Sequence, residues 1–188
     1  MTISLAGICG SGKDSFFSLL SQKVNCRRVA LADELRRELS PFIIDKFNID
    51  LFRCDRTEKD LVRPLLVEYA RIKRNQTQGR YFIEKVDRYI KCIQADTNVV
   101  ITDLRYSQFA RDELYWVKNE LNGVVIHIKK HKLVNGVKVY TESPIADERL
   151  NDPILEKAAD YRIDWPEVND ISELSCYADA TVAHFNLT

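Results

Sequence analysis

The chain has 188 residues, 45% apolar and 30% charged, enough to bury roughly 70% of its unfolded surface in one compact domain, which argues against disorder and repeat arrays. Its 28 basic and 28 acidic residues cancel, leaving no excess of cations for a nucleic-acid backbone. No apolar run reaches the roughly 18 residues of a membrane span and no basic leader precedes the first apolar stretch, so the expectation is a cytoplasmic protein with neither a membrane nor a stable nucleic-acid partner.

Residues 2–6 predict a strand that runs into a glycine-rich turn, after which Phe16, Phe17, Leu19 and Leu20 have helical spacing. A short second strand is expected at 28–31, and a helix at 34–39, opened by Asp33 and bounded by Pro41. From Thr57 to about Gln94 the pattern gives two helices separated by the turn at 75–79. The largely β-branched run 98–102 is a strand covered on both faces, with Asp103 and Arg105 at its carboxyl end. A helix is predicted over 107–121 and a strand over 123–128. Asn135-Gly136 then suits a tight hairpin or an exposed loop within 129–140. Residues 160–164 give a last strand and 170–184 the closing helix. Alternating strands and helices make the class α/β with a parallel sheet, a single domain spanning 1–188.

Charge is unevenly spread. Residues 53–91 hold eleven Lys/Arg against six Asp/Glu, and residues 142–173 hold ten acids against three bases. The first stretch suits a small anionic substrate. Cys9, Cys26, Cys54, Cys92 and Cys176 are scattered, with no C-x-x-C pair, so free thiols are expected in place of disulfides or a zinc site. His127 and His131 fall at a strand end, without metal-ligand spacing.

Gly7-Ile8-Cys9-Gly10-Ser11-Gly12-Lys13-Asp14-Ser15 matches G-x-x-x-x-G-K between a strand and a helix, the setting a P-loop requires. Glycines let backbone N–H groups curl around a polyphosphate, the helix start adds its positive end, and Lys13 neutralises the β- and γ-oxygens. Gly7, Gly10, Ser11, Gly12, Lys13, Asp14 and Ser15 are therefore the candidate ATP-binding residues. Asp14 replaces the usual Ser/Thr, and a carboxylate beside a polyphosphate calls for a divalent cation between them. Asp14 or Ser15, with Asp103, is the expected Mg²⁺ contact, direct or through water; a first-turn carboxylate favoured by the helix dipole is the alternative for Asp14. Cys9 is either a thiol activated by the helix start or a small residue tolerated in the loop.

Five segments occur in order: residues 10–14 (Gly-Ser-Gly-Lys-Asp), 32–36 (Ala-Asp-Glu-Leu-Arg), 63–66 (Arg-Pro-Leu-Leu), the run from Lys73-Arg74 to Gly79-Arg80-Tyr81-Phe82, and 101–105 (Ile-Thr-Asp-Leu-Arg). This set resembles the bacteriophage-type deoxynucleoside monophosphate kinases and the related animal-type phosphomevalonate kinases. The resemblance implies a three-layer α/β/α P-loop kinase with a five-stranded parallel sheet, a helical acceptor region at about 33–95 and a lid at about 129–150. It implies ATP as phosphoryl donor, Mg²⁺ as cofactor, and phosphorylation of deoxynucleoside 5′-monophosphates. Lys13, Arg74 and Arg105 are then the expected catalytic residues, and Asp33, Arg36, Arg63, Arg74, Asp103 and Arg105 the acceptor-binding set. Arginine suits these places because its planar fork grips phosphate. Lys129, Lys130, Lys132 and Lys138 stand where a lid of this kind presents arginines. Trp165 lies either near the adenine or in the core. Phosphomevalonate kinase and a non-kinase nucleotide switch or ATPase are the alternative functions, and a homodimer is left open.

Overall fold

The computed structural model describes residues 1–187. The elements run β1 (Thr2–Ala6), α1 (Lys13–Leu20), β2 (Cys26–Val29), α2 (Leu31–Phe47), α3 (Arg56–Gln76), α4 (Tyr81–Ile93), β3 (Asn98–Leu104), α5 (Glu113–Tyr115, continuing as a π-helical segment Trp116–Glu120), β4 (Val124–Val134), β5 (Val137–Tyr140), α6 (Ala146–Ala158), β6 (Tyr161–Pro166) and α7 (Ser175–Phe185), the last entered through a 3₁₀ turn at Ile171–Leu174.

Five strands are parallel, in the order β2-β3-β1-β4-β6, and the sixth, β5, folds back antiparallel on the end of β4. The carbonyl of Lys130 accepts from Thr141 and that of His131 from Glu167, so β5 and β6 flank opposite edges of β4. Both faces of the sheet are covered. Ile3, Leu5, Ile126 and Ile128 pack with Phe16 and Leu20 of α1 and Ala178 of α7. Val99, Ile101 and Val125 pack with Ile83, Val86 and Ile90 of α4, Trp116, and Leu155 of α6 on the other face. This is a three-layer α/β/α sandwich, as the alternation of elements requires. A third cluster, Leu39, Ile43, Ile49, Leu51, Val62 and Leu66, joins α2 to α3 beside the sheet.

Four expectations need correction. The strand expected at 28–31 ends at Val29, because the Leu31 and Ala32 N–H groups are taken by the Asp103 carboxylate at 2.9 and 2.7 Å and start α2. Helix α2 does not stop at Pro41 but continues to Phe47. Pro41, like Pro64 in α3 and Pro153 in α6, is exposed, so water can take the carbonyl freed one turn earlier, while Ile43 on the opposite face is fully buried. The helix expected over 107–121 begins only at Glu113. Before it, the Asp112 carboxylate accepts the Gln108 N–H and that of Glu113 accepts the Arg105 and Tyr106 N–H groups, which holds 105–109 as a loop. Finally, α6 occupies a stretch for which the sequence pattern predicts no helix.

The stretch expected as a lid is occupied by the second half of β4, β5 and the start of α6. Lys129 pairs with Glu156 at 2.7 Å, Lys132 with Glu167 at 3.0 Å and Lys138 with Asp164 at 2.6 Å. His131 also contacts Asp164, at 2.6 Å. Asn135-Gly136 forms the hairpin turn, both residues with positive φ.

Candidate active site

β1 ends at the floor of a cavity of about 420 Å³ that opens at the carboxyl ends of the parallel strands, where open α/β sheets bind ligands. Its near wall is the glycine-rich loop. Gly7 must lack a side chain: a Cβ there would lie 2.4 Å from the Ile128 carbonyl oxygen and 2.8 Å from Ser11 Oγ. Gly12 adopts φ +96°, and a Cβ would lie 2.4 Å from Trp165 Cζ2. Trp165 is 1% exposed and donates Nε1–H to the Ser11 carbonyl at 2.9 Å, so it belongs to the core under the loop.

Lys13 is buried and its ammonium donates to the Gly7 and Ile8 carbonyls at 2.5 and 2.8 Å. Burial, reinforced by the nearby Arg105 guanidinium, lowers its pKa to about 8. No side chain caps α1, so the first-turn N–H groups of Lys13, Asp14 and Ser15 are left for an anion at the mouth of the loop. Cys9, Gly10, Gly12, Lys13, Asp14 and Ser15 line the cavity, whereas Gly7 and Ser11 lie beneath the loop and shape it.

The opposite wall comes from α2 and α3. Lys59, Arg63, Leu66, Val67, Ala70 and Arg74 line the cavity from α3 at spacings of one face of the helix. Arg36 enters from α2, held by Asp33 at 2.7 Å, and Asp33 also holds Arg28 at 2.7 Å. Asp33 itself is not in the lining, so its place is behind the two arginines. Arg63 pairs with Asp60 at 2.5 Å and approaches Cys9 Sγ at 3.9 Å. Lys59 is the cation that sequence reasoning missed. It is half-buried, and burial, Arg36 and Arg63 all lower its pKa.

Arg105 and Arg74 meet the cavity with acidic partners. Arg105 donates to Glu148, the second missed residue, which is 3% exposed on α6. The other Glu148 oxygen accepts the Cys9 N–H at 2.9 Å and the Ser143 hydroxyl at 2.7 Å. Arg74, 5% exposed, is bonded to Asp112 and Glu113, each at 2.8 Å, and lies 3.7 Å from the Tyr106 ring centroid. Burial pushes the Glu113 carboxyl up to about 8 against the pull of Arg74. Lys130 also lines the cavity; Lys129 and Lys132 do not.

Mg²⁺ takes hard oxygen ligands, usually one or two carboxylates together with waters and substrate phosphates. Asp14, exposed at the start of α1, Ser15 and Asp103 line the same cavity as Lys13. Thr102 Oγ1 beside them is buried without a hydrogen-bond partner. Asp103 already accepts one amide on each oxygen, so it suits a water-mediated contact and Asp14 or Ser15 a direct one. This oxygen set fits a hydrated Mg²⁺. Among the described residues no group of three or more His, Cys, Asp and Glu gathers as an all-protein metal site, and no helix is long and apolar enough to cross a membrane.

No protein-family profile matches the sequence, and no curated protein gives a significant match. Among solved structures, the dephospho-CoA kinase from Campylobacter jejuni aligns with a TM-score of 0.49 and 13% identity, over 98% of this chain and 95% of that one. A likeness at that level assigns this chain neither an activity nor a substrate.

The cavity thus has three chemical zones. The glycine-rich loop with Lys13 is an anion cradle, Arg36, Lys59 and Arg63 form a second cationic wall, and Leu35, Leu66 and Phe82 with Tyr106 make an apolar, partly aromatic end.

Proposed function

We propose that the protein is an ATP-dependent kinase that transfers the γ-phosphoryl group of ATP to the phosphate of a deoxynucleoside 5′-monophosphate, giving ADP and the diphosphate. One observation carries the reading: a single cavity sets the Lys13 loop against a second cationic wall. A triphosphate on the loop and a phosphate on the wall would meet end to end, as in-line transfer requires. A nucleotide switch or ATPase needs a positioned water and no second anion-binding wall, so the arrangement favours a kinase.

The apolar end supports a nucleotide as acceptor. Phe82 and Tyr106 offer aromatic surface to a base, whereas phosphomevalonate carries only a short aliphatic body with a carboxylate and a hydroxyl. Both acceptors present a phosphate to Arg36 and Arg63, and for that reason phosphomevalonate is the comparison acceptor in the assay.

No protein nucleophile is needed, because an acceptor phosphate oxygen attacks the γ-phosphorus as its bond to the ADP oxygen breaks. The loop amides and Lys13 hold the donor and neutralise its charge, and the arginines orient the acceptor. Asp14, Ser15 and Asp103 would hold Mg²⁺, which supplies charge neutralisation on the phosphate oxygens. The test is ADP production from MgATP with each deoxynucleoside monophosphate, each ribonucleoside monophosphate and phosphomevalonate offered separately beside a control without acceptor. Turnover with one or more deoxynucleotides is expected. Turnover with phosphomevalonate alone, or equal ADP release without acceptor, would overturn the reading.

A further inference from the structure

Eight cationic side chains line the cavity, and six of them have a carboxylate partner. The exceptions are Lys13, which turns onto two loop carbonyls, and Lys59, which makes no salt bridge among the described residues and feels the Asp60 carboxylate only through its field. Lys59 stands one helical turn before Arg63 on the cavity face of α3, and Arg36 faces it from α2. Three like charges converging on one half-buried wall repel one another, and the two arginines already disfavour the Lys59 ammonium. Asp33 and Asp60 hold the arginines in salt bridges; Asp60 acts on Lys59 only through its field, without a salt bridge among the described residues, and Lys59 still has a lowered pKa. An ammonium is a compact donor with three N–H groups, suited to an anion that arrives rather than to a fixed planar partner.

We propose that Lys59 is an acceptor-phosphate ligand and the residue that makes the cavity select a phosphorylated acceptor over the corresponding unphosphorylated nucleoside. The inference rests on the kinase reading for the identity of the acceptor, but the anion site itself does not. Arg36 and Arg63, each tied to a neighbouring aspartate, set the shape of the site, and Lys59 supplies an ammonium that no salt bridge holds among the described residues. The ligand class is a phosphomonoester dianion bound across the cavity from Lys13.

Two arms of one experiment separate the inference from the reading beneath it. In the first, inorganic phosphate is titrated into the full-length protein saturated with MgADP, and its stabilising effect is followed by thermal denaturation for the parent, Lys59→Met and Lys59→Arg. The phosphate affinity is expected to fall roughly ten- to a hundred-fold in Lys59→Met, the loss of one charge-assisted contact, and to be largely restored in Lys59→Arg. Absence of a phosphate effect on the parent, or an equal effect in Lys59→Met, overturns the proposal. In the second arm, steady-state rates with deoxynucleoside monophosphates are measured for the same three proteins. A KM for the acceptor raised by the same factor in Lys59→Met, with the KM for MgATP within about twofold of the parent, supports the proposal. An acceptor KM that does not move overturns it. If the parent phosphorylates no deoxynucleotide, the kinase reading fails, while the phosphate arm still decides whether Lys59 binds an anion.

Discussion

The carboxylate of Glu148 accepts the backbone N–H of Cys9 at 2.9 Å, which ties helix α6 to the middle of the glycine-rich loop. Its second oxygen holds Arg105, so one buried anion fixes both the loop and the arginine whose charge acts on Lys13. Glu148→Ala leaves the Cys9 amide, the Ser143 hydroxyl and Arg105 without this partner. Breaking a buried pair costs about 3–5 kcal/mol, and because Arg105 keeps some contact with solvent the expected loss is about 2–3 kcal/mol. For a chain of this length that lowers Tm by roughly 4–12 °C, which calorimetry would read. Although burial opposes it, Arg105 and the Ser143 hydroxyl hold the Glu148 carboxyl below the usual glutamate range. Its contribution to stability is therefore present above the unfolded glutamate pKa and is lost on acidification through the lower folded value.

Lys13 is shifted in the same direction, but its window lies at alkaline pH. Its ammonium is lowered from 10.5 to about 8, so between those values the unfolded chain binds the proton and the folded one does not. Stability from this group thus rises with pH across that window, by about 3 kcal/mol in total. A bound polyphosphate favours the charged form and raises the pKa again. Nucleotide affinity is expected to be flat below pH 8 and to weaken above it by up to about tenfold per pH unit. Calorimetric titration of ADP in buffers of different ionisation enthalpy should show proton uptake above pH 8. Lys13→Arg, charged throughout, should lose that break, and Lys13→Ala should lose most turnover while staying folded.

The two halves of the site differ in how far they can be read from sequence. Gly7, Gly12 and Lys13 are legible because the loop needs those residue types at fixed spacing after a strand, and the covered strand β3 is legible from its β-branched run. Helix α6 is hidden by Pro153 and by an acid-rich composition, and the length of α2 by Pro41, since a proline is costly in a helix only where the freed carbonyl cannot reach water. The segment 107–112 reads as helix but is a loop, because its helical spacing is overruled by Asp112 and Glu113, whose carboxylates take backbone amides in place of solvent. Lys59 has no local signature at all: what marks it, among the described residues, is the lack of a salt bridge where its neighbours have one, and only the packing of α2 against α3 shows that. Trp165 is decided by Gly12, whose missing side chain makes room for the indole.

Arg74 separates stability from catalysis. Its guanidinium is buried and bonded to two acids, Asp112 and Glu113, over the face of Tyr106. Arg74→Met removes the shared cation and leaves two carboxylates adjacent in a buried site, an expected loss of about 3–5 kcal/mol. Arg74→Lys keeps the charge but not the fork that reaches both acids, and should recover less than half of it. Denaturant unfolding of both variants checks the order. Stability equal to the parent in Arg74→Met would assign the side chain to substrate alone.

Gly12 and Trp165 form a testable pair. A Cβ at Gly12 would meet Trp165 Cζ2 at 2.4 Å and would also sit at φ +96°. Gly12→Ala therefore carries two penalties, a steric one shared with Trp165 and a backbone one that is not, the latter about 1–2 kcal/mol. Trp165→Phe removes the outer ring and the hydrogen bond to the Ser11 carbonyl, at about 1–3 kcal/mol. The double variant is expected to be more stable than the sum of the single losses by about 1 kcal/mol or more, the part of the clash that the smaller ring relieves. ADP affinity should follow the same order, because the shape of the loop sets where the amides of Lys13 and Asp14 point. Strict additivity in a double-mutant cycle would show that the backbone conformation of Gly12, and not its packing on Trp165, is what the loop requires.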